Sequence, residues 1–223
     1  MFTVDRPEEG ASIASQDGWL VCSASGISHW SALGYHLGAF TQKNLNVPVG
    51  VISCCQGASV IQSWIDENIV SRPAFYVPEG KKHYDHFAPE FEKWNRDGLL
   101  YHAMAETVLP FSAGNVVWYQ GESNTTEEEG ALYLSLLSAM IENWREAASD
   151  RELPFTVVQI CDFDPRRDAG WRRVQEAQLQ AEKELYKVRT VVSRDICESW
   201  EIHPRTKNIL AYKLYRSMFG ERV

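Results

Sequence analysis

Four short segments concentrate the apolar, β-branched residues of this chain: Val49–Cys54 (VGVISC), Asn115–Tyr119 (NVVWY), Phe155–Ile160 (FTVVQI) and Val188–Ser193 (VRTVVS). Each is nearly continuous rather than alternating, the pattern of a strand covered on both faces. Helical patterns lie between them. Ser31–Leu45 carries Leu33, Leu37 and Phe40; Leu132–Trp144 sets Leu136, Leu137, Met140 and Ile141 on one face. Trp171–Leu185 is a long run of good helix formers, and Thr206–Met218 closes the chain. Strand and helix in alternation predict an α/β fold: a mostly parallel sheet with helices on both faces, which binds ligands at the carboxyl ends of its strands.

The 223 residues suffice for one large domain with a core of its own, so the whole of 1–223 reads as a single unit. Residues 66–98 hold Pro73, Pro78, Gly80, Pro89 and many charges, and read as a long excursion or lid. Met1–Gly18 is polar apart from Phe2–Val4.

A formal charge of −8 argues against a nucleic-acid partner, which needs a basic stripe to displace counterions. No apolar run reaches the length of a membrane span, and the opening residues lack the basic and apolar regions of a secretion signal. The five cysteines, at 22, 54, 55, 161 and 197, show no CxxC spacing and read as reduced core thiols. Eight tryptophans are many for this length; they suit a thick core first and a sugar-stacking surface second.

Three polar clusters fall where strands end: Ser53–Ser59, Gln120–Asn124 and Glu198–Lys207 (ESWEIHPRTK). The last presents His203 with Glu198 and Glu201 close by, and an imidazole beside a carboxylate is the arrangement of a general base at neutral pH. Glu127–Glu129 suits the first turn of a helix, where negative charge meets the dipole. His83-Tyr84-Asp85-His86 offers two imidazoles with no evident third ligand, and reads as a solvated loop rather than a metal site. Trp64 either lines a pocket or packs under the sheet.

These residues carry a resemblance. WYQGESN (118–124), EIHPRTK (201–207), WRRVQEAQ (171–178) and VPVGVISCCQGASVIQSW (47–64) together resemble the sialate O-acetylesterase family of SGNH-type carbohydrate esterases, in the expected order from about Trp19 to Val223. The resemblance implies a three-layer α/β/α sandwich and hydrolysis of acetyl esters on sugars through an acetyl-enzyme, without metal or cofactor. It implies that His203 takes the proton of a nucleophilic serine. The oxyanion would meet the backbone N–H of Gly57 and the side-chain amide of Gln120 or Asn124, with Glu122 orienting that amide. Trp64 and Arg205 would contact the acetylated sugar.

The chain departs from the family pattern twice. The nucleophile belongs to an early G-Q-S-N-type block after the first strand, and no such block is found. Phe2–Val4 resembles the second strand of the family fold, so the resemblance implies a chain that begins after the nucleophile and lacks one interior strand. Among substitutes, Ser12 and Ser28 follow no strand, and Ser59 falls where an oxyanion donor belongs. Ser123, in Gly121-Glu122-Ser123, follows a strand as in the G-x-S-x-G elbow, but Thr125 takes the final glycine position. The acid is the second departure: Trp200 stands three residues before His203, where aspartate is usual, which leaves Glu198 and Glu201 both open. Three functions follow from this: an esterase with its serine elsewhere, an inactive sugar-binding relative or fragment, and a serine esterase using Ser123.

Overall fold

The structure is a computed structural model, and it describes residues 1–7, 18–23, 27, 30–82 and 89–220. Strands β1 (Phe2–Thr3), β2 (Ile52–Ser53), β3 (Val116–Trp118), β4 (Phe155–Val158) and β5 (Val188–Val191) are all parallel to their neighbours. Helix α1 (Ala32–Leu45) lies between β1 and β2, and the short α2 (Glu67–Val70) and α3 (Glu106–Val108) precede β3. The long helices α4 (Glu127–Ala147), α5 (Ala169–Glu184) and α6 (Lys207–Phe219) alternate with the remaining strands. The expected strands and helices are therefore all present, the strands shorter at one or both ends.

Successive residues of the strands serve opposite layers, as the period of two requires. Val116 and Trp118 of β3 and Phe155 and Val157 of β4 pack with Tyr133, Leu137, Met140, Trp171 and Val174 of α4 and α5. Val117 and Val158 instead join Leu33 and Leu37 of α1 and Leu210 and Leu214 of α6. The result is a three-layer α/β/α sandwich. Its thickest part is aromatic: Trp64 meets Trp118 at 6.0 Å, Trp118 meets Trp144 at 5.7 Å, and both pairs are close to perpendicular. Trp64, Trp94, Trp118, Trp144 and Trp171 are all buried, which favours the core use of tryptophan in this chain.

Local chemistry sets the helix starts. Ser31 caps α1 by accepting from Gly34 N at 3.2 Å. Thr126 caps α4 by accepting from Glu129 N while its hydroxyl donates to Glu129 Oε2, both at 3.1 Å, and Asp168 accepts from Trp171 N at α5. Helices α4 and α5 approach most closely at two glycines. A Cβ on Gly130 would lie 2.8 Å from the Gly170 carbonyl, and one on Gly170 would run into the Thr125 carbonyl.

The ladders form two sheets, β1-β2 and β3-β4-β5, and β2 is not hydrogen-bonded to β3. Among the described residues each of those two strands pairs on one side only, while α1 spans the break by packing Gly34 and Gly38 on Val51 and Leu33 and Leu37 beside Val117. The excursion at 66–98 is less a lid than a packed insertion in its described part. Val70, Val77 and Trp94 are buried, and Trp94 Nε1 and Asn95 Nδ2 both donate to the Ala58 carbonyl, at 3.3 and 2.8 Å. Among the described residues no helix is long and apolar enough to cross a membrane.

Candidate active site

Strand β3 ends in a turn whose backbone must leave the sheet without abandoning buried polar groups. Gly121 makes the bend at φ 156°, and a Cβ there would meet Val174 Cγ1 at 2.9 Å and Ile160 Cγ2 at 3.0 Å. The Gln120 carbonyl accepts from Tyr133 Oη at 2.9 Å and Gln178 Nε2 at 2.8 Å. Helix α5 repeats this service for the end of β4. Gln178 Oε1 accepts from Ile160 N at 2.8 Å, Gln175 Nε2 donates to the carbonyls of Ile160 and Cys161, and Trp171 Nε1 donates to the Cys161 carbonyl at 2.9 Å. The WRRVQEAQ segment is thus a polar zipper that satisfies two strand ends. Its signal in the sequence is a pair of glutamines on the same helix face as Trp171 and Val174.

The side chains of the turn point the same way. Gln120 Nε2 donates to the Ser59 carbonyl and to Asn124 Oδ1, both at 2.9 Å. Asn124 Oδ1 also accepts from Ile61 N at 2.9 Å, and its Nδ2 donates to Gln62 Oε1 at 2.8 Å and Glu129 Oε1 at 3.4 Å. An amide has two N–H bonds, and both residues have engaged both. In this arrangement neither has a donor left to aim at an oxyanion, contrary to the expectation from sequence. They bolt the turn to the 59–62 segment instead.

The histidine loop reaches this turn from the other side. Lys207, the first residue of α6, places Nζ 3.3 Å from Tyr119 Oη and 4.7 Å from the centre of its ring. Glu122 is the carboxyl of the turn whose charge acts on both. Burial pushes it above the usual carboxylate range, against the pull of backbone N–H groups and of the His203 and Lys207 charges. Burial likewise lowers Lys207, opposed by Cys197 and Glu122 among others, and raises Tyr119. His203 and Glu122 therefore share one electrostatic neighbourhood at the carboxyl ends of β3 and β5. Tyr119 and Lys207 were not singled out by sequence reasoning, because nothing in a linear reading pairs residues 88 positions apart.

The two acids expected beside His203 are turned elsewhere. Glu198 accepts from Arg205 N at 3.1 Å and the Thr206 hydroxyl at 2.7 Å, bonds that hold its carboxyl below the usual range and tie the loop to the start of α6. Glu201 pairs with Arg205 Nη2 at 3.3 Å, and the Arg205 side chain is otherwise exposed. Neither makes a hydrogen bond to the exposed imidazole.

The remaining candidates separate clearly. Gly57 is exposed in the turn after β2, with open space where a Cβ would stand. Trp64, 2% exposed, belongs to the core and not to a sugar pocket: its Nε1 donates to Ser59 Oγ at 3.0 Å, and its carbonyl accepts from Trp144 Nε1 at 2.8 Å. Ser59 is buried and its hydroxyl donates to the Gln56 carbonyl, so it is structural. Ser123, 6% exposed, is folded into the 3₁₀ turn Glu122–Asn124 rather than raised on an elbow. Ser12, Ser28 and the His83–His86 pair lie outside the described residues. Asp66, Glu67 and His102 do bring three ligand atoms within 4.8 Å, but His102 is already bridged to Glu67 at 2.7 Å and Glu106 at 2.8 Å.

Comparison with known proteins places the chain in a family. A family profile described as carbohydrate esterase, sialic acid-specific acetylesterase, matches residues 23–212. Human sialate O-acetylesterase is 26% identical over 208 residues, covering 85% of this chain and 38% of that protein. The rat enzyme of the same name is 22% identical over 265 residues, covering 96% and 48%. The chain thus spans less than half the length of these curated relatives. Among solved structures, a carbohydrate acetylesterase from Xanthomonas citri superimposes with a TM-score of 0.82 at 25% identity, covering all of this chain and 49% of that one. An Arabidopsis thaliana protein shares the fold alone, with a TM-score of 0.62 at 19% identity over 93% of this chain and 73% of that one. With the profile covering both the polar turn and the histidine loop, the chain belongs to the sialic acid-specific acetylesterase family of carbohydrate esterases.

Proposed function

We propose that this chain carries the base and the oxyanion side of an esterase that hydrolyses O-acetyl groups from sugars. The observation that supports the reading is the approach of the β5–α6 loop to the turn after β3, through Lys207 on Tyr119, with the charges of His203 and Lys207 acting on Glu122. His203 takes the proton of an attacking serine. Glu122 supplies the opposite charge as the imidazolium forms, in place of the committed Glu198 and Glu201; a carboxylate held away from water gives that response most strongly. The Gly57 N–H donates to the oxyanion, since the amides of Gln120 and Asn124 are already committed. The sugar leaves as its alcohol, taking the proton from His203, when the acetyl-serine forms; water deprotonated by His203 then attacks the acetyl-serine, and acetate leaves as the serine regains its proton. The exposed Arg205 and Trp200 flank the loop and contact the sugar.

The serine is supplied by a strand outside these 223 residues, paired in the break between β2 and β3. Buried acceptors at the ends of the two-stranded sheet, Asp5 Oδ2 and Gln56 Oε1, lack a hydrogen-bond partner among the described residues and would receive its N–H groups. An N-terminally extended chain should release acetate from an O-acetylated sugar, and His203→Ala should lower kcat roughly 100- to 10,000-fold. A folded extended chain no faster than buffer would defeat the proposal.

One observation favours a second reading, a sugar-binding relative without catalysis: His203 has no carboxylate at hydrogen-bond distance among the described residues. That reading requires saturable binding of acetylated sugar that His203→Ala leaves intact, with no acetate released.

A further inference from the structure

The start of the 66–98 insertion and the turn that follows it meet in a cluster that the esterase reading does not use. Asp66 caps the short α2 and Glu67 opens it, while His102 lies in the π-helical turn Tyr101–Ala105 and Glu106 begins α3. Ligand atoms of Asp66, Glu67 and His102 all lie within 4.8 Å of one another. His102 Nε2 is 2.7 Å from Glu67 Oε2, and its Nδ1 is 2.8 Å from Glu106 Oε2. The backbones beneath these side chains are anchored elsewhere. Asp66 N donates to Asn143 Oδ1 of α4 at 3.0 Å, Gly98 N to the Gln62 carbonyl at 3.2 Å, and His102 N to the Gly98 carbonyl at 3.0 Å. Gly98, at φ 75°, also leaves the space that the Glu67 carboxylate fills, since a Cβ there would stand 2.5 Å from Oε2.

We propose that Asp66, Glu67 and His102 bind one zinc ion, with water as the fourth ligand and Glu106 orienting the imidazole. The histidine and its second carboxylate separate this cluster from a patch of surface acids. An imidazole that ligates through Nε2 donates its Nδ1–H to a carboxylate, a carbonyl or water, which fixes the tautomer and the ring. Glu106 stands at that position. Nitrogen among the ligands selects zinc over magnesium and calcium, which take oxygen. Three carboxylates around one imidazole supply the negative charge that suits a dication.

The ion takes the place of the proton that joins Nε2 to Glu67, and that proton passes to solvent. Zinc holds nitrogen and oxygen ligands at about 2.0–2.2 Å in a tetrahedron, which sets neighbouring ligand atoms about 3.3 Å apart. Nε2 and Oε2 therefore part by roughly 0.6 Å on binding. Their side chains are 44% and 53% exposed, so this movement leaves the core undisturbed. Asp66 keeps Oδ1 on Asn68 N and offers Oδ2 to the metal. The bound ion staples the insertion to the turn at 101–106. The inference is independent of the esterase reading, since it needs no serine, no sugar and no residue of the histidine loop.

The test uses the full chain with Cys22→Ser and Cys55→Ser, which removes the exposed thiols able to bind zinc, after treatment with a chelator. Titration with zinc chloride, followed by calorimetry, should show one ion per chain, undisturbed by excess magnesium or calcium. Cobalt(II) in place of zinc should give the visible d–d bands of a tetrahedral ion. His102→Gln should abolish both signals. Glu106→Gln, which leaves every ligand in place, should keep the stoichiometry and weaken affinity about 10- to 100-fold. Zinc should raise the urea midpoint of the parent chain and leave that of His102→Gln unchanged, which also shows that the variant is folded. The pair His83→Gln and His86→Gln, a control for the other histidines, should bind as the parent does. Absence of saturable binding would overturn the proposal, as would binding that survives His102→Gln or a Glu106→Gln affinity equal to the parent's.

Discussion

Truncating Asn124 to alanine separates two roles for the amides of the polar turn, scaffold and chemistry. The side chain is fully buried and makes four hydrogen bonds, to Ile61 N, Gln120 Nε2, Gln62 Oε1 and Glu129 Oε1. Removal does not orphan all four partners. Gln120 Nε2 keeps the Ser59 carbonyl, and Glu129 keeps the Thr126 hydroxyl on its other oxygen. Ile61 N–H and Gln62 Oε1 are left buried without their partner. Each such group costs about 1–3 kcal/mol, so the pair costs roughly 2–6 kcal/mol. A water entering the vacated space restores part of this, which sets the expected loss at ~3 kcal/mol. Against a total of ~5–15 kcal/mol for a domain, that is a large share.

Asn124→Asp is the matched comparison. It keeps the acceptor for Ile61 N–H but turns a second anionic oxygen toward Gln62 and Glu129. Gln62 can rotate its amide to donate; Glu129 can relieve the repulsion only by binding a proton. Asn124→Asp should therefore be least stable at neutral pH and recover as the pH falls. Urea unfolding followed by the fluorescence of the buried tryptophans reads both variants, with an unchanged m-value showing that the denatured state is the same. If Asn124 were an oxyanion donor instead, the loss would appear in turnover, about 100- to 1,000-fold, with stability nearly intact. A change below ~1 kcal/mol in Asn124→Ala would refute the scaffold reading.

Three further outcomes follow from the same geometry. Gly121→Ala should lose about 2–4 kcal/mol in urea unfolding, because its Cβ would press on Val174 and Ile160 in a backbone conformation that side chains disfavour; an unchanged midpoint would show that the turn can relax. Trp64→Ala should cost ~3–5 kcal/mol, whereas Trp200→Ala, at a residue 70% exposed, should stay within about 0.5 kcal/mol and weaken only sugar binding; equal losses would contradict the assignment of one to the core and the other to the surface. Glu122 has its carboxyl raised by burial, so the folded state holds that proton more tightly than the unfolded state. Stability on its account falls as pH rises from the ordinary glutamate value, about 4.3, through the raised one. Glu122→Gln should remove that decline, and a wild-type slope in unfolding free energy against pH would contradict it.

How much of this was legible in the linear chain depends on the range of the interaction concerned. Strand and helix positions were readable because hydrophobic period and capping are local: VRTVVS and FTVVQI carry their own pattern, and Thr126 and Glu129 mark a helix start within four residues. The parallel order of the sheet follows from that alternation, and the motifs WYQGESN and EIHPRTK place two polar clusters at strand ends. What residues do within those clusters was not readable. Gln120 and Asn124 have the right groups for an oxyanion hole, yet each N–H is committed to the 59–62 segment or to α4 once the chain closes. Trp64 looks the same in sequence whether it faces a sugar or Trp118 and Trp144. Glu198 and Glu201 flank the histidine in sequence, but one ties down the start of α6 and the other meets Arg205.

By itself, then, the order of residues fixed the secondary structure, the layering and the family, since each rests on contacts within a few turns or on a pattern repeated along the chain. Tertiary structure alone decided which partners the amides of Gln120 and Asn124 engage, where the carboxyls of Glu198 and Glu201 turn, and that Lys207 meets Tyr119. Those outcomes depend on burial and on hydrogen bonds between segments tens of residues apart. Desolvation then turns ordinary side chains such as Glu122 and Lys207 into perturbed ones.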